Sequence, residues 1–316
     1  MRAIVIDRFG GIEELHIREV PLPQVGLEEV LIRVETAGVG SWDPFEREGG
    51  YAQMLGTNTA FPYVLGSEGA GEIVEVGQRV HQFQPGDKVY AAGFLNPKGG
   101  FYAEYVAVRV DLVSSIPKGV SSEQAGVVAG AGLTALRGLD DALMLRSGES
   151  VMVFGAGGGV GHLAVQLAKR MGARVVAVAS GQDGVALAEK LGADVAVDGR
   201  QEDAGSKVKA FTKNGLDAAL LTAGGEGADK LLSTVRDGGR IAYPNGIEPL
   251  PLARAGLQVT GYNGEPDSDI LSRLNRLIEA GPFEVHIART FSIEQVADAH
   301  RALDGHYLGK LALKLR

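Results

Sequence analysis

The sequence predicts an α/β protein in which a doubly wound parallel sheet follows a β-rich N-terminal region. Two observations lead to this prediction: a change of texture near residue 121, and a glycine-rich segment between a short apolar run and a helix-like run. Before residue 121, short β-like runs are separated by Gly/Pro turns. After it, strand-like and helix-like segments alternate, a pattern typical of right-handed βαβ units and a parallel sheet.

Residues 1–120 are therefore predicted to form a mostly antiparallel β module, in which helical periodicity is scarce. Its strand candidates are apolar or alternating runs bounded by turn residues. These runs are Ala3–Ile6, Glu29–Ala37, Gly71–Val76, Lys88–Ala92 and Ala103–Val108.

Residues 121–281 are predicted to form the alternating α/β domain. The strand candidates are Val151–Gly155, Ala173–Ala179, Val195–Val197, Ala218–Thr222, Arg240–Tyr243 and Gln258–Tyr262. The helix candidates are Val160–Met171, Gly184–Leu191, Gly227–Val235 and Ile270–Ala280. Residues 282–316 form a tail with a strand (Glu284–Thr290), a helix opened by the capping-box residues Ser292 and Gln295, and a final strand (Lys310–Leu315). The pattern of apolar and polar residues alone does not show to which of the two domains that final strand belongs.

Composition excludes several classes of function. A net charge of −8, dispersed along the chain, disfavours non-specific binding to nucleic acid or to anionic membranes. The sequence contains no cysteine, which rules out disulfides, thiolate nucleophiles and cysteine-ligated zinc. Asp7 interrupts the first apolar run, and no stretch approaches the roughly 18 apolar residues of a transmembrane helix. We expect a soluble, cytoplasmic protein.

The strongest local signal is the segment V-M-V-F-G-A-G-G-G-V-G-H-L-A, in which an apolar strand runs into glycines and a helix follows. Gly155 permits the tight strand-to-helix turn, Gly158 lets the backbone approach a pyrophosphate, and Gly161 lets the helix pack closely on the strand. The N-terminus of the helix then offers N–H groups to phosphates. The alternative is a close-packed turn without a ligand. A P-loop is not supported, because no Lys-Ser/Thr pair follows the glycines.

This pattern predicts a dinucleotide site at the carboxyl edge of a Rossmann sheet. Its predicted cofactor-binding residues are Gly155, Ala156, Gly158, Gly159, Val160, Gly161, Ser180, Ala223, Asn245 and Gly246. Ser180 stands where NAD-specific sheets carry an acidic residue for the ribose hydroxyls, so the neutral position leaves room for a 2′-phosphate and favours NADP(H). For Asn245 and Gly246 a simple turn is the alternative.

Several motifs, in order and over essentially the whole chain, resemble one family. They are E-V-L-I-R-V-E-T-A-G-V-G-S-W-D, P-Y-V-L-G-S-E-G-A-G-E-I-V-E-V-G, F-Q-P-G-D-K-V, G-L-T-A-L, the glycine segment and H-Y-L-G-K-L-A-L. The series is similar to the medium-chain dehydrogenase/reductases, and within them to the zinc-free quinone oxidoreductases of the zeta-crystallin type. The resemblance implies a GroES-like catalytic domain built from the N-terminal segment and the returning tail, an inserted Rossmann domain, a site in the interdomain cleft, and a homodimer.

Departures from the zinc enzymes of that family bear on metal binding. Gly40 stands where they place a cysteine, and Ser67 stands beside Glu68 where they place a histidine. The resemblance therefore implies no metal site, and Glu68 is interpreted as a structural carboxylate.

The same resemblance points to residues near the substrate. Phe45 and Tyr51 match aromatic positions of the zinc-free enzymes, and Thr134 of G-L-T matches a residue near the nicotinamide. Tyr51 and Thr134 are the predicted catalytic residues, with Tyr51 hydrogen-bonding the acceptor oxygen or donating a proton; a plain aromatic wall is the alternative for Tyr51. Arg47 is interpreted as a solvated loop charge and Asp43 as a residue that orders its loop.

The predicted activity is zinc-independent hydride transfer from NADPH to a quinone, because without a metal an easily reduced acceptor is expected. Two alternatives remain open. One is an enone or enoyl reductase, acting on an activated alkene with the same scaffold. The other is an NADP(H)-binding redox sensor without catalysis. The predicted partner is a small-molecule acceptor, with no nucleic acid and no membrane.

Overall fold

The structure is a computed structural model, and it describes residues 1–56 and 58–316. Strands occur along the whole of this range. In chain order they are β1 (Arg2–Ile6), β2 (His16–Glu19), β3 (Glu29–Val39), β4 (Tyr63–Val64), β5 (Glu68–Val76), β6 (Lys88–Ala92), β7 (Tyr105–Arg109), β8 (Val113–Ser115), β9 (Ser150–Phe154), β10 (Arg174–Ala179), β11 (Val195–Asp198), β12 (Leu216–Leu221), β13 (Val235–Pro244), β14 (Gln258–Tyr262), β15 (Ile287–Ser292) and β16 (Lys310–Lys314).

The α-helices are mostly short and lie between these strands. They are α1 (Trp42–Arg47), α2 (Gly50–Leu55), α3 (Ser122–Ala125), α4 (Ala129–Leu136), α5 (Gly161–Arg170), α6 (Gln182–Lys190), α7 (Ala204–Phe211), α8 (Glu226–Leu232), α9 (Ser268–Glu279) and α10 (Val296–Ala302). A π-helical turn, Arg137–Ala142, continues α4. Among the described residues, none of the helices combines the length and apolarity needed to cross a membrane.

The chain folds into two compact units. The first comprises Met1–Gly130, Pro266–Asn275 and Val285–Arg316, and the second comprises Ala131–Glu265 and Arg276–Glu284. The boundaries predicted from sequence texture, after residues 120 and 281, stay a prediction about the folding domains.

The first unit is built on antiparallel sheets, as the sequence predicts. A seven-stranded sheet has the order β15-β16-β3-β5-β6-β8, with β7 also paired to β3, and a three-stranded sheet has the order β2-β1-β4. The long strand β3 is buried along most of its length, and its apolar side chains join those of β1, β5 and β16 in one core.

The C-terminal tail belongs to the first unit. Strand β16 pairs antiparallel with β3, placing Leu313 opposite Ala37, and pairs parallel with β15. The final strand therefore does not extend the parallel sheet, and the assignment of residues 282–316 to the catalytic domain stays a prediction.

The second unit contains a six-stranded, all-parallel sheet of order β11-β10-β9-β12-β13-β14. This is the doubly wound order, in which the chain moves outward from β9 in one direction and then restarts at β12 in the other. Strand β9 is almost entirely buried, which explains its near-continuous apolar sequence S-V-M-V-F. Ligands of such sheets bind at the carboxyl ends of the strands beside the switch point, here β9 and β12. The predicted α/β fold class is confirmed.

Five helices of the described residues were not predicted from the sequence. Helices α1 and α2 have six residues each, α3 has four, and α4 and α7 have eight each. About two turns or fewer give hydrophobic periodicity too few repeats to be recognised, so the first unit was expected to hold almost no helix.

Candidate functional site

The glycine turn of the second unit has the backbone geometry that its sequence predicts. Gly155, directly after β9, has a φ of +82°, in the left-handed region that favours glycine. Its N–H and that of Ala156 both donate to the carbonyl of Val178, at 2.9 Å each, which fixes the turn to β10. A β-carbon on Gly161 would lie 2.0 Å from the carbonyl oxygen of Gly155, so only glycine allows the helix to approach the turn this closely.

Gly158 differs from its neighbours because the protein itself leaves room there. A β-carbon on Gly158 would lie 3.4 Å from the carbonyl oxygen of Gly155, an ordinary contact distance. Gly158, Gly159 and Val160 are also only half-buried, so the turn presents an accessible surface at the start of α5. The glycine at 158 is thus not required by packing, which agrees with its predicted role of admitting a phosphate group.

His162, which follows this turn, has a packing role. Its ring is fully buried, and Nδ1 lies 2.9 Å from the carbonyl oxygen of Gly158. The ring braces the turn from inside the unit.

The carboxyl ends of β12 and β13 contribute further predicted residues. Thr222, after β12, donates its hydroxyl to the carbonyl of Phe154 at 2.8 Å, and Ala223 lies within contact distance of the β-carbon position of Gly155. Thr222 was missed by the sequence analysis, since a lone threonine after a strand carries no distinguishing signal.

Asn245 and Gly246, which follow β13, form a turn. The amide of Asn245 donates to Oδ1 of Asn263 at 2.7 Å, and its N–H donates to the carbonyl of Tyr262. Gly246 has a φ of +95° and nothing within 4 Å of its β-carbon position. The turn interpretation therefore describes the geometry of both residues, and a cofactor contact at Asn245 stays a prediction.

The turn at Ser180 and Gly181, which follows β10 and is called the corner below, lies beside an acidic and a basic residue that the sequence pattern did not place there. Ser180 is exposed, and the N–H of Gly181 donates to Oδ1 of Asp198 at 3.1 Å. Backbone hydrogen bonds from Arg200 and Gly181 lower the pKa of Asp198, so this carboxylate is charged. The guanidinium of Arg200 comes within 3.1 Å of the β-carbon position of Gly181.

Thr134, the predicted residue near the nicotinamide, lies on α4 in the second unit and is 7 % exposed. Its carbonyl accepts the hydroxyl of Tyr262 at 3.0 Å. A β-carbon on Gly264 would lie 2.2 Å from the Thr134 hydroxyl oxygen, so that glycine makes room for this hydroxyl.

The predicted substrate-side aromatics lie together in the first unit. The rings of Phe45 on α1 and Tyr51 on α2 meet edge to face, with centroids 4.9 Å apart. Burial, followed by the nearby carboxyls of Glu46 and Asp43, raises the pKa of Tyr51 to about 12. The phenol therefore keeps its proton near neutral pH and can donate a hydrogen bond.

A cluster of buried acids lies beneath these aromatics. Oδ2 of Asp43 accepts the N–H of Gly40 at 2.7 Å and the hydroxyl of Tyr102 at 3.0 Å, so Asp43 orders its loop as interpreted from sequence. Glu46 accepts the hydroxyl of Tyr63 at 2.6 Å. One oxygen of each carboxyl is buried without a hydrogen-bond partner among the described residues. Burial raises the pKa of Asp43 to about 8 and that of Glu46 to about 7.

The interpretation of Arg47 as a solvated loop charge is wrong. Arg47 is 4 % exposed, donates Nε to the carbonyl of Gly10 at 3.0 Å, and places Nη1 2.9 Å from Nδ1 of His300. Its guanidinium also pairs with Glu48. Burial and the charge of Arg47 lower the pKa of His300 to about 3, so the imidazole is neutral. Arg47 thus joins α1 to α10 through His300, and the sequence pattern gives no signal for this contact.

Glu68 forms a closed ion pair at the start of β5. Its Oε1 accepts Nζ of Lys310 at 2.7 Å and its Oε2 accepts the N–H of Gly130 at 2.7 Å. The two charged side chains are 1 % and 3 % exposed. These bonds fit the interpretation of Glu68 as a structural carboxylate, and they identify Lys310 as a partner that the sequence analysis missed.

These residues do not fit a zinc ion. Glu68 has both oxygens engaged, Gly40 has no side chain, and Ser67 offers only a hydroxyl. No group of three or more His, Cys, Asp or Glu side chains that could hold a metal occurs among the described residues. Zinc in proteins is held by sulfur, imidazole and carboxylate ligands, typically three or four of them.

The raised pKa of Asp43 has a consequence for stability. In an unfolded chain an Asp titrates near pH ~3.9, and in the folded protein the pKa of Asp43 is about 8. Between these two pH values Asp43 is neutral in the folded protein and ionised in the unfolded chain. Its contribution to the free energy of unfolding is therefore fully present below about pH 4 and is lost as the pH rises to about 8. We expect Asp43→Asn to gain free energy of unfolding relative to wild type, by more than about 2 kcal/mol, between about pH 5 and about pH 8.

Urea unfolding of both proteins at several pH values measures this difference. The substitution Asp304→Asn, at an exposed position, is the matched control and should give no such trend. A wild-type-minus-variant difference that stays constant across the pH range would show that Asp43 is charged in the folded protein.

Comparisons with known proteins agree with this architecture. The model of the "Alcohol dehydrogenase GroES-like domain" matches residues 26–118, and that of the "Zinc-binding dehydrogenase" matches residues 159–249. An NADPH-dependent alkenal/one oxidoreductase of Arabidopsis thaliana is 31% identical over 99% of this chain and 79% of its own length. A quinone oxidoreductase of Homo sapiens is 28% identical over 95% of this chain and 93% of its own. The solved structure of an NAD-dependent alcohol dehydrogenase, 30% identical, superposes with a TM-score of 0.90 over 100% of both chains.

The β-rich unit, the doubly wound sheet and its glycine turn together define a nicotinamide-dependent oxidoreductase. The chain belongs to the medium-chain dehydrogenase/reductase family. The family predicted from the motifs is thereby confirmed, and the quinone oxidoreductases among its relatives agree with the predicted branch.

Proposed function

We propose that this protein uses NADPH to reduce a quinone, without zinc. The observation that carries the proposal is the closed Glu68–Lys310 pair, whose carboxylate has no oxygen left for a metal. A saturated aldehyde or ketone accepts hydride less readily and benefits from a Lewis acid that polarises its oxygen. A conjugated carbonyl accepts hydride more readily, so a site built in this way favours such acceptors.

The residues at the carboxyl edge of the second unit's sheet fit a dinucleotide. The turn at Gly155 and the open face at Gly158 would hold the pyrophosphate at the N-terminus of α5, where free N–H groups and the helix dipole favour an anion. Ser180 would lie toward the ribose, with Ala223 and Asn245 at the neighbouring strand ends. Hydride transfer is the chemistry that the nicotinamide supplies when bound.

NADP(H) is the proposed form of the cofactor, and Arg200 is the residue that supports it. No basic residue directly follows Ser180 in the sequence, whereas the folded chain brings the guanidinium of Arg200 to Gly181. A guanidinium at this corner can bind a 2′-phosphate through charge-assisted hydrogen bonds. The N–H of Gly181 does not contribute, because Asp198 accepts it. The names of similar proteins include both NADPH-dependent and NAD-dependent enzymes.

Two substitutions at this corner should change cofactor preference. Arg200→Ala is expected to lower kcat/KM for NADPH by about 10-fold and to leave that for NADH nearly unchanged, because one charge-assisted contact is lost. Ser180→Asp should favour NADH, since the new carboxylate accepts the ribose hydroxyls and repels the phosphate. Arg174→Ala, at the opposite end of β10, is the matched control. Equal effects of Arg200→Ala on both cofactors would refute the assignment.

Tyr51 is proposed to bind the acceptor. Its phenol stays protonated and half-buried beside Phe45, so it can donate a hydrogen bond to a carbonyl oxygen. If it does, Tyr51→Phe lowers turnover more than it weakens NADPH binding. Thr134 is proposed to lie near the nicotinamide, as the resemblance implies.

The second candidate function is reduction of an activated alkene conjugated to a carbonyl. It is favoured by the 31% identity to an alkenal/one oxidoreductase. A panel of acceptors decides between the two: NADPH oxidation is followed with a naphthoquinone, an α,β-unsaturated ketone and a saturated ketone. The proposal requires the highest kcat/KM for the quinone. No oxidation with any acceptor, despite NADPH binding, would instead indicate a redox sensor without catalysis.

A homodimer is also proposed. Strand β14 forms an edge of the parallel sheet, four of its five residues are exposed, and Val259 is 44% exposed. Leu250 and Leu252, in the preceding loop, are 60% and 77% exposed. An open strand edge beside apolar side chains can pair with a second copy of the chain. Light scattering during size-exclusion chromatography should give the mass of two chains. The mass of a single chain would show that the protein is not a dimer.

A further inference from the structure

Trp42 has no role in the proposed cofactor site, and its indole fills the space beside Gly40. The indole lies against Gly40: a β-carbon at Gly40 would come within 2.8 Å of the ring atoms Cε2 and Cζ2. It also lies near Gly130, whose β-carbon position is 3.5 Å from Cζ2. Any side chain at position 40, including a metal ligand, would therefore project into space that the indole fills.

A buried positive charge lies on one side of this indole. Nζ of Lys310 is 5.0 Å from the ring centroid, within the range of a cation–π interaction. Lys310 is held in that position by its ion pair with Glu68. The ring of Phe94 meets the indole edge to face at 6.1 Å. The ring is thus fixed by contacts on several sides.

The polar edge of the indole has no hydrogen-bond partner among the residues that the structure describes. The ring N–H of Trp42 makes no hydrogen bond to any of the described residues, and it is not among their buried unsatisfied atoms. The residue is half-buried, so this N–H is accessible. A tryptophan N–H in a partly buried position normally finds a hydrogen-bond partner.

We infer that Trp42, in addition to Tyr51, donates a hydrogen bond to a carbonyl oxygen of the acceptor and so replaces the metal of the zinc enzymes. This inference rests on the proposed function and specifies the substrate class as planar, conjugated carbonyl compounds. The indole N–H donates a hydrogen bond to the carbonyl oxygen at the edge of the ring.

The chemical balance of the step is simple. The acceptor gains a hydride, which is one proton and two electrons, and the negative charge that results is carried by its carbonyl oxygen. The N–H bond of Trp42 stays intact and only donates a hydrogen bond to that oxygen. A proton from solvent then neutralises the reduced acceptor.

The substitution Trp42→Phe keeps an aromatic face and removes the N–H. We expect it to lower kcat with a naphthoquinone by about 100-fold or more, because removing one donor to a developing oxyanion has an effect of this order. The KM for NADPH should stay within about twofold. Gly40→Ala, which keeps the N–H and displaces the ring, should lower the same kcat. The effect of Trp42→Phe should exceed that of Phe94→Leu, which leaves the donor in place.

A second measurement uses the wild-type protein, in which Trp42 is the only tryptophan. Titration with a naphthoquinone in the absence of NADPH should quench its fluorescence saturably, with an unchanged fluorescence lifetime, because the quinone binds in contact with the ring. A saturated cyclic ketone should not quench it. Purely collisional quenching, in which the lifetime falls in proportion to intensity, would overturn the inference.

The two proposals fail in different ways. A wild-type protein that oxidises NADPH with neither quinone nor enone overturns the proposed function itself. A wild-type protein that is active, together with a folded Trp42→Phe variant of equal kcat, overturns only the role of Trp42.

Discussion

The substitution Lys310→Met should destabilise the protein by about 3–5 kcal/mol, the usual effect of removing one partner from a buried ion pair. Lys310 and Glu68 are 3 % and 1 % exposed, so water cannot replace the lost ammonium. Glu68 would keep only the N–H of Gly130, and its charge would be buried without a counter-ion. Urea unfolding of wild type and variant measures the difference.

A double variant separates the pair from general packing effects. Glu68→Gln combined with Lys310→Met removes both charges, so it should be more stable than Lys310→Met alone, with a coupling energy of at least about 1 kcal/mol. Arg33→Met, which breaks the half-exposed pair with Glu72, is the matched control and should cost less than about 1 kcal/mol. Equal effects of Lys310→Met and Arg33→Met would contradict the assignment of a closed, buried pair.

Two alanine substitutions in the glycine turn should separate folding from cofactor binding. Gly161→Ala places a methyl group 2.0 Å from the carbonyl oxygen of Gly155, which belongs to the backbone and cannot swing aside. Helix α5 must then move away from the turn, so we expect both a loss of stability of about 2 kcal/mol or more and the loss of measurable NADPH binding.

Gly158→Ala is the matched variant. Its methyl group meets the same oxygen at 3.4 Å, so the free energy of unfolding should change by less than about 1 kcal/mol. If the pyrophosphate binds as proposed, the affinity for NADPH should nevertheless fall by at least about 10-fold, because the methyl group would occupy the space that the phosphate needs. Calorimetric titration with NADPH measures the affinity. Normal binding by Gly158→Ala would show that the pyrophosphate does not approach this residue.

Sequence pattern predicted those parts of the fold in which local signals agree. The parallel sheet was recognised because apolar runs such as β9 and β10 alternate with helical segments, and Gln258–Tyr262 was located to the residue. The glycine turn was recognised because its glycines meet steric demands that are local in sequence. The return of the tail came from resemblance alone, since pairing between β3 and β16 joins residues far apart in the chain.

The parts of the candidate site that the sequence did not reveal are contacts between distant residues. The ion pair between Glu68 and Lys310 spans 242 positions, and the approach of Arg47 to His300 spans 253. Neither pairing has a spacing rule. Arg47 was misread because a charged residue in a short loop is usually solvated. Trp42 was quoted within a motif, but its role depends on the space left by Gly40, which only the folded chain shows.

The most direct test of zinc-independent reduction of a conjugated carbonyl is made on enzyme exhaustively dialysed against a strong chelator. The rate of NADPH oxidation by a naphthoquinone is compared before dialysis, after dialysis and after addition of zinc, beside the rate of oxidation of a simple alcohol. The account predicts the same quinone reductase rate in all three samples and negligible oxidation of the alcohol. Activity that is lost on dialysis and restored by zinc would contradict it.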